Sequence, residues 1–121
     1  MTTSIHRIQA NEALFTLAAN AIAAYSRRTS RFESVHTACA RAARLCAVRD
    51  FTAAEIDGIL EAAKAPASLN FCLRIDSRWS DSWHSSRERL ERAAGRSLAI
   101  RECVTVMLQV LVVAGESEVG A

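Results

Sequence analysis

Residues 98–113, LAIRECVTVMLQVLVV, are the most apolar run in the chain and carry seven β-branched residues, Ile100, Val104, Thr105, Val106, Val110, Val112 and Val113. Read as a helix, the run places Arg101, Thr105 and Gln109 at i, i+4 and i+8, a narrow polar stripe on an apolar cylinder. Read as a strand, it puts Val104, Val106, Leu108, Val110 and Val112 on one face. Either conformation must be covered on nearly every side, so the rest of the chain has to supply the cover. A length of about 16 residues suits a helix better than a strand, and a buried helix is the expectation.

The cover is expected to be helical. The 121 residues hold only four Gly and one Pro, and half are hydrophobic with much Ala, a composition that favours helices over turn-rich β structure. A first helix is predicted from about Ile5 or Ile8 to Tyr25, on the stripe Leu14, Ala18, Ala21, Ile22 and Tyr25. Ser30 and Glu33 have capping-box spacing for a second, whose buried stripe is Val35, Cys39, Ala42 and Cys46. Thr52 and Glu55 form another box, with Phe51 placed to staple onto Ile56, and Pro66 stops that third helix. A fourth is predicted from a Ser80 or Asp81 cap to Gly95.

One segment is ambiguous. In residues 69–75, Leu69, Phe71, Leu73 and Ile75 alternate with Asn70, Cys72 and Arg74, as in a strand, yet Pro66 is equally able to open a short helix there. This segment and 98–113 are expected to share one state. With both helical, the chain is an all-α compact bundle of four to five helices with a buried C-terminal helix. The alternative is an α+β fold with residues 69–75 and 103–113 as strands. Residues 1–113 make one domain, and 114–121 a short flexible acidic tail.

Charge and cysteines narrow the function. Net charge is +2, from 14 Arg and one Lys against 13 acids, a bias that a GC-rich bacterial genome also produces. Residues 1–50 carry +4, from seven Arg and three acids, and 69–97 carry +2, from six Arg and four acids. That permits a nucleic-acid partner without demanding one. Cys39, Cys46, Cys72 and Cys103 lack CxxC spacing and read as small buried hydrophobes in a reducing, cytoplasmic setting, with no metal and no cofactor expected. His36, Cys39 and Cys46 are the alternative ligand set. The run 13–25 is read as a core helix and not a secretory signal, and no stretch reaches the length of a membrane span.

Catalytic patterns are absent from the sequence apart from Asp81, His84 and Ser85, which crowd one helix start where a triad converges from several elements. A non-enzymatic regulatory, inhibitory or accessory protein is expected, binding a protein or nucleoprotein complex. Trp79 and Trp83, with Arg78 and Arg87, are the candidate partner-binding residues, since Trp and Arg dominate binding hot spots, while large aromatics at helical spacing also read as core under the fourth helix. Homodimerisation through part of 98–113 is one way to bury the surplus apolar face. The alternative is a DNA-binding regulator. Phe51, Glu55, Ile56, Ile59 and Leu60 give the segment FTAAEIDGIL a pattern that resembles the first helix of sigma-factor-type helix-turn-helix units. The resemblance implies a recognition helix presenting Asn70 and Arg74. Arg27, Arg28 and Arg31 are further candidate nucleic-acid contacts from their charge, although Arg27 and Arg28 also suit the C-terminal end of the first helix. The turn after Leu60 is longer than that motif uses.

Overall fold

The computed structural model describes residues 3–66 and 68–118, the last four by backbone alone. The elements in order are β1 (Ser4–Ala10), α1 (Glu12–Thr29), α2 (Val35–Cys46), α3 (Ala53–Ala62), β2 (Leu69–Ile75), α4 (Ser80–Ala94) and α5 (Ile100–Glu118). The described residues are mostly helical, with one two-stranded antiparallel sheet among them.

The apolar run is a helix. Cys103, Val104, Val106, Met107, Leu108 and Leu111 are all but fully buried in α5, and α1, α2 and α3 pack around it. Its polar stripe survives burial because Thr105, 3 % exposed, donates its hydroxyl to the Arg101 carbonyl at 2.8 Å. Arg101 and Gln109 then lie towards the grooves flanking α3. The helix start is held by the Glu102 carboxylate, which accepts the Ala99 N–H at 2.9 Å.

The expected common state of 69–75 and 98–113 does not hold. Residues 69–75 form a strand while 103–113 are helical, because β2 takes its partner from the N-terminus. β1 and β2 pair with Ser4 opposite Ile75 and Ala10 opposite Leu69. An all-α bundle is therefore corrected, among the described residues, to five helices and a β-ribbon, and the first helix begins at Glu12, not at Ile5 or Ile8. Asn11 is the reason for that start. It caps α1 by accepting the Leu14 N–H at 2.8 Å, while its own amide reaches the far end of α3.

Other boundaries move for local reasons. Ser30 is the left-handed C-cap of α1 at φ 58°, so it cannot open α2. The box that does is Ser34 with Thr37, while Glu33 turns back to Thr29 and Arg31. The Thr52–Glu55 box and the Gly95 stop at φ 72° are as expected. At α4 the Asp76 carbonyl accepts the Trp79 and Ser80 N–H groups, and no side chain caps the helix. α5 continues to Glu118, and residues 119–121 of the expected tail lie outside the described residues.

The inner face of the ribbon joins the core through Ile8, Ala10, Leu73 and Ile75, resting on α1, α2 and α5. No helix among the described residues is long and apolar enough to cross a membrane.

Candidate nucleic-acid interface

Side chains alternate across a strand, so burying Ile8, Ala10, Leu73 and Ile75 turns the intervening residues outward. The register arranges those residues as three cross-strand pairs: Ile5 opposite Arg74, Arg7 opposite Cys72, and Gln9 opposite Asn70. All six are exposed, Ile5 at 69 %. Directly paired side chains have Cβ atoms about 5 Å apart, and successive pairs on one face repeat about every 6.8 Å. The result is a narrow plate carrying two guanidinium groups, two carboxamides, one thiol and one branched apolar side chain. It holds no acid.

Three of these side chains are uncommitted. Among the described residues, the Arg7, Gln9 and Asn70 side chains make no hydrogen bond or ion pair. Asp76, just past the end of β2, is already occupied. Arg78 grips it at 2.8 Å and holds its carboxyl below the usual range, with Arg74 adding a smaller pull. The same pair raises the Arg78 guanidinium. The face therefore keeps its positive sign.

The residues singled out in the sequence divide. Asn70 and Arg74 stand on the plate, but on a strand, so the second helix that the helix-turn-helix resemblance implies is replaced by β2. Arg27, Arg28 and Arg31 belong to another element, the last turn of α1 and the loop beyond it. Arg28 lies over the Tyr25 ring at 5.4 Å and Arg31 pairs with Glu33. Trp79 and Trp83 are 5 % and 3 % exposed, packed edge to face with centroids 6.4 Å apart, so their rings are core. Arg87 is spent inside the molecule, donating to the Leu98 carbonyl at 2.8 Å. Arg78 stays at the surface with Asp76. The structure does not assemble these four into one exposed patch.

Sequence reasoning missed Ile5, Arg7 and Gln9. Their signal was the alternation of Ile8 and Ala10 with polar neighbours, masked by the i, i+3 spacing of Ile5 and Ile8.

The remaining concavities carry less chemistry. A groove of about 340 Å³ between α3 and α5 mixes Lys64, Arg96 and Arg101 with Asp57, Glu61 and Glu102, three charges of each sign. An apolar groove of about 260 Å³ lies beside β2, lined by Phe15, Ile22, Val35, Leu69 and Phe71. Asp81, His84 and Ser85 are all exposed on α4. Cys39, Cys46 and Cys103 are buried, and burial pushes each thiol up to about 12, whereas Cys72 is exposed. Among the described residues no three His, Cys, Asp or Glu side chains are grouped to hold a metal ion.

Comparison with known proteins finds no matching family model, no matching curated protein and no matching solved structure.

Proposed function

We propose that this is a small non-enzymatic accessory or regulatory protein that binds nucleic acid through the outer face of its β-ribbon. The observation that carries the reading is the plate itself: Arg7, Gln9, Asn70 and Arg74 exposed together with no acid among them. Guanidinium groups supply the phosphate attraction that dominates nucleic-acid affinity, and carboxamides supply paired donors and acceptors. A fluorescence-anisotropy titration with mixed-sequence 24-base-pair DNA tests it. Binding should weaken as salt rises, and Arg7→Ala and Arg74→Ala should each weaken it further. Unchanged affinity in both variants would remove the reading.

A protein partner is the second reading, favoured by the apolar groove beside β2. Phe15 and Leu69 are half-exposed on its rim, and it has room for one apolar anchor side chain of a partner. Phe15→Ser would then abolish binding to that partner and leave DNA affinity as it was.

A further inference from the structure

The ribbon is the right size and chemistry for one particular nucleic-acid surface. Resting on the nucleic-acid reading above, we infer that the plate enters the major groove of B-form DNA and reads base edges there.

Width comes first. The sheet has two strands, β1 and β2, and no third strand broadens it among the described residues. Adjacent strands lie about 4.8 Å apart, and a two-stranded ribbon fits the roughly 12 Å major groove of B-DNA. α1, α2 and α5 pack on the inner face and the outer-face residues are exposed, so the outer face is free to lead the approach.

Spacing comes second. The pairs Gln9/Asn70, Arg7/Cys72 and Ile5/Arg74 repeat at about 6.8 Å, close to two base-pair steps of 3.4 Å. Three pairs thus span about four steps.

Side-chain type comes third. Asn and Gln each match the N6 and N7 edge of adenine, Arg matches O6 and N7 of guanine, and a branched apolar group packs on the thymine methyl. The plate carries two Arg, one Asn, one Gln and the otherwise wasteful Ile5 in the open. Gln9 and Asn70 stand side by side at one end, and Arg7 and Arg74 occupy the next two rows. The expected site is an A·T-bearing end followed within about two to four steps by G·C pairs. A sequence-indifferent phosphate binder has no use for this order, since Lys or Arg in any arrangement serves it.

The test is selection from a random-sequence duplex pool, followed by titration of the enriched duplex and its analogues. A short enriched motif is expected. Replacing its purines by 7-deazapurines, which removes the N7 acceptors from the major groove, should weaken binding about tenfold or more. Replacing guanine by inosine, which alters only the minor groove, should leave affinity unchanged. The Gln9→Ala/Asn70→Ala double variant should lose discrimination at the A·T-bearing end. Circular-dichroism melts of the variant should match the parent, because all these side chains are exposed. DNA binding with no enriched motif, or with indifference to 7-deazapurines, overturns the major-groove inference and leaves the nucleic-acid reading standing. Equal or tighter binding to an RNA duplex, whose major groove is too narrow for side chains, does the same. No binding to either duplex at low salt overturns both.

Discussion

The side-chain amide of Asn11 donates to the carbonyl of Ala63 at 2.6 Å and to that of Ala65 at 3.1 Å, while its Oδ1 accepts the Leu14 N–H. One residue, 4 % exposed, thus caps α1 and fastens the end of α3 at the point where the ribbon gives way to the first helix. The partners fix the orientation of the amide, since its nitrogen faces two carbonyls and its oxygen an N–H.

Asn11→Ala is expected to destabilise the fold by about 2–3 kcal/mol in urea unfolding, the loss of a cap together with two tethering hydrogen bonds. Asn11→Asp separates the two roles. A carboxylate caps as well as an amide does, yet it has no donor for Ala63 and Ala65 and faces both oxygens with negative charge. At neutral pH it should be as damaging as Ala. An Asp variant as stable as the parent would show that the tether to α3 contributes nothing.

A second fastening joins α4 to α5. Arg87 donates to the Leu98 carbonyl at 2.8 Å and Glu91 accepts the Leu98 N–H at 2.7 Å, so one residue of the connecting turn is held by both its backbone groups. Arg87→Ala and Glu91→Ala should each cost about 1–2 kcal/mol. Because both act on Leu98, the double variant should cost less than the sum, with a coupling of about 0.5 kcal/mol or more. Strict additivity in a double-mutant cycle would argue that the two contacts are independent.

Legibility in the sequence followed the range of the interactions. The Thr52–Glu55 box and the Gly95 stop are settled within one helical turn, so the letters alone locate them. The ribbon is not local: Ala10 pairs with Leu69 and Ser4 with Ile75, and neither seven-residue strand is stable without the other. Residues 4–10 therefore read as the front of an amphipathic helix until β2 claims them. For the same reason the letters single out Asn70 and Arg74 of the exposed outer face and pass over Arg7 and Gln9. Trp79 and Trp83 misled in the other direction. Their Ser- and Arg-rich neighbours suggest surface, but the indoles turn inward with Leu90 into the core.

That inward turn has a cost that can be measured. Trp83→Ala should destabilise by about 3–5 kcal/mol through the cavity it leaves, and Trp83→Phe by much less. Ser86, one turn further along α4, is fully buried and donates its hydroxyl to the Ala43 carbonyl of α2. Ser86→Ala should cost only about 1 kcal/mol, because Ala43 still accepts the Ala47 N–H at 2.9 Å. Thermal melts of the three variants should rank in that order, and a Trp83→Ala protein as stable as Ser86→Ala would contradict the buried position of the ring.

The thiols make the response to alkali predictable. Burial holds Cys39, Cys46 and Cys103 protonated to about 12, against an ordinary value of 9.0. Below pH 9 the native and unfolded chains carry these protons alike, so stability does not depend on them. Between pH 9 and 12 the native state keeps protons that the unfolded state has released, and stability falls as pH rises. Each thiol contributes a slope of up to roughly 1.4 kcal/mol per pH unit, and all three act in the same direction. The single Lys leaves little ammonium titration to confuse the measurement. At pH 8 a disulfide reagent should modify Cys72 alone in the native protein and all four cysteines in urea. Unfolding curves collected from pH 8 to 11 should show the decline begin near pH 9 and flatten in a Cys39→Ala/Cys46→Ala/Cys103→Ala variant. A decline of unchanged slope in that variant would place its origin outside the three thiols.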